Sequence, residues 1–401
     1  MDSASRTLRG DAKIIGLIGS AHFVSHFFQL ALPPLFPMLK NGFGVSYATL
    51  GALMTVFYSF SGVFQTLSGF AVDRFGARTV LLSGMGLLAA SCILAGLVPV
   101  FWLLFPVMAL AGIGNSVFHP ADFAILNATV TPPRLGHAYS AHGIGGNLGW
   151  AAAPMTGFAL GSVYGWRVAL IVMGVMGLAV LAILLSQRAV LVCHRHRTEA
   201  ASGADTRVHF SLLLQAPILM CFAYFCFWAM ATVGMQTFSV TALTAIYHVP
   251  LALATTALTA FLLGTSAGIL AGGFVAAQTS RHSLVAAGGM LTSALFAFIL
   301  AGTTALSVVA LTTLMGFCLG LTVPSRDLLV RAATPAGATG RVYGLVYSGL
   351  DLGASLAPLL LGWLLDKGHG ADIFIGLAVC MLLTMLTAVQ MPRFARAGAS
   401  A

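Results

Sequence analysis

The sequence predicts an all-α membrane protein of twelve transmembrane helices, arranged as two pseudo-symmetric six-helix bundles. Three observations support this fold class. Of the 401 residues, 59% are hydrophobic and only 7% are charged, whereas about a quarter are charged in a typical soluble domain. The apolar residues fall into twelve runs, each near the ~20 residues that a helix needs to cross the hydrocarbon core. The second half of the chain also repeats the pattern of the first.

Each apolar run is expected to form one span, because short polar stretches separate it from its neighbours. The first run is too long for the apolar core of a signal peptide, and no small-residue cleavage site follows it, so it is predicted to be a retained span. The predicted spans cover residues 14–39, 46–72, 79–99, 101–128, 138–163, 166–187, 211–241, 250–278, 283–302, 304–332, 342–365 and 372–391.

The repeat is visible as a constant shift of 204 residues, which aligns Phe43 with Tyr247 and Gly112 with Gly316. Other pairs at this shift are Pro120 with Pro324, Tyr139 with Tyr343, Gly149 with Gly353, and Pro154 with Pro358. A duplicated unit of about 200 residues is too long for a solenoid repeat. Six spans separate equivalent positions, so both halves have the same orientation in the membrane. They are predicted to be parallel repeats around a substrate path.

The net charge of +9 reflects membrane topology and does not predict binding to nucleic acid. Basic residues alternate between the loops, with fifteen on one side, three on the other, and Arg326 inside a span. The fifteen are Arg6, Arg9, Lys13, Arg74, Arg78, Arg134, Arg188, Arg195, Arg197, Arg207, Arg281, Arg331, Arg341, Arg393 and Arg396, and the three are Lys40, Arg167 and Lys367. The positive-inside rule predicts a multi-pass protein of a bacterial inner membrane, with both termini in the cytoplasm.

The predicted division is an N-terminal bundle over 1–188, a cytoplasmic linker over 189–210 and a C-terminal bundle over 211–401. The linker is the only long hydrophilic stretch and lies where the repeat boundary is expected. Its His194 and His196 are interpreted as residues of a solvated loop. The six cysteines form no disulfide framework, because five of them lie in apolar runs.

The turn between spans 2 and 3 has the sequence GFAVDRFGAR, from Gly69 to Arg78. It resembles the cytoplasmic signature G-x-x-x-D-R-x-G-x-R of the major facilitator superfamily. Gly69 would permit close helix approach and Gly76 a tight turn. Asp73 would sit at a helix N-terminus or pair with arginine, while Arg74 and Arg78 hold the loop in the cytoplasm. The resemblance implies a conformational latch that stabilises the outward-facing state. The matching positions of the second half, which have lost the charges, are Gly273, Ala277, Gln278, Ser280 and His282.

Span 4 shows a narrower resemblance. Its segment 112–121, GIGNSVFHPA, is similar to the fosmidomycin-resistance-type branch of the superfamily, as are PPLFP at 33–37 and GGNLG at 145–149 with Pro154. The superfamily resemblance covers the whole chain and implies the major facilitator fold and alternating access. The branch resemblance implies proton-driven drug efflux. No cofactor is expected.

Polar residues inside the spans are the candidate site, because an ionisable group at membrane depth costs about 2.5–3.5 kcal/mol and faces a cavity or a partner. Spans 1 and 4 contribute His22, His26, Gln29, Asn115, His119 and Asp122. Spans 5, 7, 10 and 11 contribute His142, Asn147, Trp228, Arg326, Asp327 and Asp351. The superfamily resemblance implies that helices 1, 4, 7 and 10 line a central cavity. The repeat makes Arg326 the counterpart of Asp122.

These residues also allow simpler interpretations. His22 and His26 have the spacing of a helical metal pair, but no glutamate follows His22 and no third ligand is evident, so no metal site is expected. Either histidine can instead be structural, bonded to a backbone carbonyl. Asp122 and Arg326 can form a permanent ion pair, and Asp327 and Asp351 can be solvated or act as helix-to-helix latches. Trp228 can be a packing residue.

The function predicted from these residues is a proton-coupled antiporter that exports a small polar or anionic compound. Arg326 presents a planar fork suited to carboxylate, phosphate or phosphonate. Histidines titrate near neutrality and, with a desolvated carboxylate, would carry a proton as substrate and proton exchange partners around Asp122 and Arg326. The alternatives are a proton symporter that imports an organic anion and a transporter-derived membrane sensor. No catalytic or nucleotide motif supports an enzyme. The partners expected are the substrate, protons and the lipid bilayer, and the chain is expected to be a monomer.

Overall fold

In the computed structural model, the described residues are 3–191, 214–302, 307–334 and 339–399, and no β-strand occurs among them. The chain forms α-helices joined by short turns. The helices are α1 Ser3–Gln29, α2 Phe36–Phe43, α3 Tyr47–Phe75, α4 Ala77–Leu97, α5 Leu104–Asn115, α6 Phe118–Thr129, α7 Leu135–Ser186, α8 Ala216–Ala245, α9 Leu251–Gln278, α10 His282–Ala301, α11 Val308–Leu321, α12 Val323–Ala333, α13 Thr339–Asp366 and α14 Ala371–Ala399. One-turn 3-10 helices lie at Pro33–Leu35, Phe101–Leu103 and Pro132–Arg134.

Within the described part of the chain, eleven helical stretches are long and apolar enough to cross a membrane. One of them, in α7, covers two predicted spans. Gly165 interrupts α7 with φ 79° and ψ 160°, a non-helical conformation that glycine adopts without steric cost. The helix therefore consists of two spans that meet at this glycine. The predicted all-α fold of twelve spans is confirmed.

Spans 4 and 10 are each broken at equivalent positions. Helix α5 ends at Asn115 before α6 begins at Phe118, and α11 ends at Leu321 before α12 begins at Val323. Each break lies just ahead of a proline, Pro120 or Pro324. A proline ring cannot donate the helical hydrogen bond, and it clashes with the carbonyl four residues earlier. From the sequence alone, Pro120 and Pro324 are expected to interrupt their helices, and the breaks lie where that expectation places them.

Contacts divide the chain into two compact units. Unit 1 comprises Met1–Val45 and Val56–Ala200, and unit 2 comprises Ser46–Thr55 and Ala201–Ala401. In unit 1, α7 packs against α1 and α4. Near the start of α1, Asp11 accepts hydrogen bonds from Thr131 Oγ1 at 2.7 Å and from Arg134 Nη1 at 2.8 Å. From residue 192 onward, the predicted linker 189–210 lies outside the described residues, and its boundaries stay a prediction.

Unit 2 differs from the predicted C-terminal bundle because it includes the beginning of α3. Asp366, at the end of α13, accepts hydrogen bonds from the backbone N–H groups of Tyr47 and Ala48, both at 2.8 Å. Thr55 Oγ1 donates to the Ser355 carbonyl at 2.7 Å. Elsewhere in the unit, α9 packs against α11, and α8 against α13 and α14. The carboxylate of Asp366 thus satisfies N–H groups that the first turn of α3 leaves unpaired.

Two glycines of α9 are expected to respond differently to alanine. A Cβ on Gly268 would overlap the carbonyl oxygen of Phe317, whereas a Cβ on Gly273 would meet nothing within 4 Å. Overpacking of this kind costs about 1–3 kcal/mol. Gly268→Ala should therefore lower the midpoint of thermal unfolding of the purified protein. Gly273→Ala, the matched control on the same helix, should leave it unchanged or slightly raised. Equal midpoints for the two variants would contradict the packing of α9 on α11.

Candidate functional site

Unit 1 contains a group of five ionisable side chains, which we call the histidine cluster. It consists of His22 and His26 on α1, His119 and Asp122 on α6, and His142 on α7. The imidazoles of His22 and His142 stack with centroids 3.6 Å apart, and that of His26 lies 4.2 Å from that of His22. The ring of His119 is 5.0 Å from that of His22. Three helices therefore bring the imidazoles of His26, His119 and His142 to within 5.0 Å of that of His22.

Asp122 is the centre of the cluster and is fully buried. Its Oδ2 lies 3.0 Å from His142 Nε2, within hydrogen-bond distance, and 3.5 Å from His22 Nδ1. Its other oxygen, Oδ1, has no hydrogen-bond partner, and neither has His22 Nδ1. A buried carboxylate oxygen without a partner is energetically costly, because water is not replaced by another donor. The cluster thus has unused capacity to bind a donor or a cation.

A chain of side-chain hydrogen bonds extends from the cluster. The indole of Trp150 stacks on His26 with centroids 4.0 Å apart, and its Nε1 donates to Gln29 Oε1 at 3.0 Å. Gln29 Nε2 donates to Asn115 Oδ1 at 3.1 Å, and Asn115 Nδ2 donates to Ser61 Oγ at 2.9 Å. These hydrogen bonds hold the indole of Trp150 in place against the imidazole of His26. The predicted polar stripe of span 4 does face α1.

Glycines on α7 allow this approach of α7 to α1. A Cβ at Gly146 would lie 2.6 Å from His26 Nδ1 and 2.8 Å from His22 Cδ2. A Cβ at Gly149 would overlap the carbonyl oxygen of Phe23. The glycine-rich segment is therefore a close-packing surface.

Arg326 is the centre of a second polar site, in unit 2. Its side chain is nearly buried, and its guanidinium carbon lies 4.4 Å from the centroid of Phe225 and 5.0 Å from that of Trp228. Its Nε donates to Asp327 Oδ1 at 2.9 Å. Among the described residues the terminal nitrogens have no acceptor. Trp228 Nε1 is also buried and has no hydrogen-bond partner in the described part of the chain. This site presents donors that lack an acceptor.

The remaining predicted site residues lie apart from these contacts. Asp351, on α13, is half-buried, and its carboxylate has no hydrogen bond or ion pair with any described residue. Asn147 donates to the Gly143 carbonyl of its own helix at 3.1 Å. Asp122 and Arg326 each have a partner within their own unit, and an exchange of partners between them stays a prediction.

The latch residues agree with the sequence analysis only in part. Gly76 has φ 85° and makes the tight turn that was expected between α3 and α4. Arg78 Nη1 donates to the Arg188 carbonyl at 3.1 Å. The expectation for Gly69 was wrong, since a Cβ there would meet nothing within 4 Å. Asp73 is exposed, and within the described residues it neither caps a helix nor pairs with arginine. The guanidinium carbon of Arg74 lies 5.4 Å from the ring centroid of its neighbour Phe75.

Several site residues were not identified from the sequence. The indole of Trp150, the hydroxyls of Ser25 and Ser61, and the rings of Phe225 and Tyr347 all contact predicted site residues or their partners. Ser25 had a signal, because it lies four residues before Gln29 on the same helical face. The sequence showed no third ligand beside His22 and His26, whereas in the structure His119 offers a ligating atom within 4.8 Å of one from each.

Unit 1 also contains an apolar cavity of about 630 Å³ between α1 and α7. Its lining includes Phe23, Phe27, Ile144 and Met176, and Ser20 is the one residue with a polar side chain. It lacks the polar groups that a polar or anionic compound requires.

A helical membrane protein with two buried polar sites inside its spans has the architecture of a transporter. The family model described as Major Facilitator Superfamily matches residues 18–247 and 220–398. The chain belongs to the Major Facilitator Superfamily. It is a membrane-spanning transporter and not an enzyme.

Similar proteins include transporters with different stated roles. The chain is 26% identical to the fosmidomycin resistance protein of Escherichia coli (strain K12), over 93% of this chain and 91% of that protein. It is 25% identical to a probable L-galactonate transporter of the same organism, over 86% of this chain and 80% of that protein. The solved structure of the nucleoside transporter NupG superposes with a TM-score of 0.76 at 13% identity, covering 96% of this chain and 99% of that one. This last likeness shows the fold alone.

Proposed function

We propose that the protein is a proton-coupled antiporter that exports a small polar or anionic compound by alternating access. The observation that carries this proposal is the arrangement around Arg326. A nearly buried guanidinium lies within 5.0 Å of the centroids of two aromatic rings, and its terminal nitrogens lack an acceptor in the described part of the chain. Its neighbour Asp327 is 43% exposed and engages only Nε. Such a site favours an incoming anion.

The charge of the substrate head group is inferred from the hydrogen-bond donors around Arg326. Arginine binds carboxylate or phosphonate through two parallel N–H donors. Trp228 Nε1 adds a buried donor that lacks a partner among the described residues. An oxyanion would satisfy these groups together, whereas a cation would be repelled by the guanidinium. The polar residues of the histidine cluster, with Gln29, Asn115 and Asn147, are proposed as the lining of the substrate pathway in unit 1.

Asp351 is proposed as the proton carrier. Its carboxylate lies within a candidate span and has no partner among the described residues. An unpaired carboxylate at membrane depth is costly as an anion and is relieved by protonation. Proton uptake by Asp351 from one side and release to the other would couple transport to the proton gradient.

The location and gating are proposed from the same features. The distribution of basic residues supports a bacterial inner membrane protein with both termini cytoplasmic. A monomer is proposed because one chain contains both repeats. The loop from Gly69 to Arg78 is proposed as a cytoplasmic latch, supported by the turn at Gly76 and by the hydrogen bond from Arg78.

The direction of transport has two candidates. Export is favoured because a relative that matches over most of the chain is named for fosmidomycin resistance. Import of an organic anion by proton symport is favoured by the relative named as a probable L-galactonate transporter.

Proton flux in proteoliposomes is expected to distinguish these directions. Vesicles contain the purified protein and a trapped pH-sensitive dye, and fosmidomycin, other phosphonates or sugar acids are added outside. For an antiporter, an inward substrate gradient should drive protons outward and make the lumen alkaline. For a symporter, the same gradient should make the lumen acidic. Protein-free vesicles are the control for leakage. The proton-coupled proposal fails if a compound that is transported moves no protons in either direction.

A further inference from the structure

The histidine cluster brings several metal-ligating atoms close together. Two sets of three side chains bring one ligating atom each to within 4.8 Å of one another. One set is His22, Asp122 and His142, all buried, and the other is His22, His26 and His119. His22 belongs to both sets. Imidazole nitrogen with one carboxylate oxygen is a donor set suited to Zn²⁺ and other divalent transition metals.

Two of the three ligand separations in the buried set are close to those of a metal site, and the third is below 4.8 Å. At Zn–ligand distances of about 2.0–2.1 Å, two ligands of a tetrahedral ion lie roughly 3.3 Å apart. The corresponding distances from Asp122 Oδ2 are 3.0 Å to His142 Nε2 and 3.5 Å to His22 Nδ1. Small side-chain rotations would therefore place these atoms around one ion.

Unsatisfied atoms give a second, independent indication. His22 Nδ1 and Asp122 Oδ1 are buried and have no hydrogen-bond partner. Among the described residues of unit 1 no lysine or arginine pairs with Asp122, whose contacts are with the imidazoles of His22 and His142. A divalent cation would use the free nitrogen and balance the buried negative charge.

The surroundings supply an access route and support for the ligands. His119 is exposed, while its ring lies 5.0 Å from that of the buried His22. An ion can meet His119 first and reach the inner set through His22, the residue that both sets share. Outside the ligands, Trp150 stacks on His26 and is held by Gln29. Outer contacts of this kind orient metal ligands and strengthen binding.

We propose that His22, Asp122 and His142 bind a divalent transition-metal ion, with His119 as the point of access. Binding removes the proton shared by His142 Nε2 and Asp122 Oδ2, because imidazole nitrogen and carboxylate oxygen both use lone pairs to ligate. The three protein ligands leave a further position for water. This proposal concerns binding alone and goes beyond the transport function proposed above.

The test uses the full-length protein in lipid nanodiscs at one fixed pH, without a histidine tag. Co²⁺ is added as a spectroscopic probe, and Zn²⁺ is used for displacement and equilibrium dialysis. The wild type should show the intense visible absorption of Co²⁺ with nitrogen and oxygen ligands in a site of low coordination number. One Zn²⁺ per chain should abolish that absorption. If the wild type gives no such spectrum and retains no Zn²⁺ above empty nanodiscs, the proposal is wrong.

Two histidines of α7 provide a matched pair of variants. His142→Ala should weaken Zn²⁺ binding at least about 100-fold, since even loss of an outer contact costs up to about that much. His137→Ala, at an exposed position of the same helix, should bind as the wild type does. His142→Gln keeps a polar side chain of similar size and should also lose binding, which separates loss of a ligand from misfolding. Wild-type affinity in both His142 variants would overturn the proposal.

Discussion

Replacing Arg326 with alanine is expected to lower transport of an anionic substrate about 100-fold. The guanidinium is nearly buried, and its terminal nitrogens are free of acceptors among the described residues. Removing one partner of a buried, charged hydrogen-bonded pair costs about 2–5 kcal/mol, and about 2.8 kcal/mol corresponds to a 100-fold change. The measurement is the initial rate of substrate uptake into proteoliposomes at a substrate concentration well below saturation.

Two further variants define the cause of this loss. Arg326→Lys keeps the charge but not the planar fork, so its rate should fall between those of the alanine variant and the wild type. Arg331→Ala removes an exposed arginine from the same helix, α12, and should transport as the wild type does. A loss of equal size in Arg331→Ala would show that the effect comes from net charge and not from substrate binding.

Replacing Asp351 with asparagine is expected to abolish proton-coupled transport while substrate exchange continues. The amide has nearly the shape of the carboxyl group but cannot take up and release a proton. Asp351 has no described partner, so little packing or pairing should be lost with its charge. Accumulation driven by a pH gradient should therefore fall to the level of protein-free vesicles. Counterflow of labelled against unlabelled substrate, without a gradient, should stay within about a factor of three of the wild type, a difference of less than 1 kcal/mol.

The controls for Asp351 separate proton transfer from a general loss of charge. Asp351→Glu retains a titratable group and should restore part of the gradient-driven accumulation. Asp372→Asn, which changes a 46% exposed carboxylate of unit 2, should leave both assays unchanged. Full gradient-driven accumulation by Asp351→Asn would rule out this residue as the proton carrier, and loss of counterflow as well would assign it to substrate binding.

The sequence identified individual residues of the candidate site, but it did not show which of them contact one another. Helical spacing identified His22 with His26, and Asn115 with His119 and Asp122, as stripes on two separate helices. It did not show that His142 stacks on His22, because the spacing of residues within one helix says nothing about which neighbouring helix it faces. The hydrogen-bonded chain through Trp150 depends on contacts between helices. For the same reason, the sequence showed no third ligand for the histidine pair.

The latch residues show which features of a single segment could be predicted from sequence and which could not. The tight turn at Gly76 was predicted from a local feature, because such a turn depends on the backbone conformation of one residue. The positive φ of Gly76 confirms the prediction. The role given to Gly69 required knowledge of what packs beside it, and the structure shows open space there.

The sequence by itself determined the number of spans, the duplication, and the helix breaks ahead of Pro120 and Pro324. These follow from hydrophobic run length and proline chemistry, which act along the chain. Only the tertiary structure decided that the imidazoles of His22 and His142 meet Asp122 and that the guanidinium of Arg326 lies over Phe225 and Trp228. Such contacts join residues of different helices, and close packing at glycines such as Gly146 and Gly149 sets their distances.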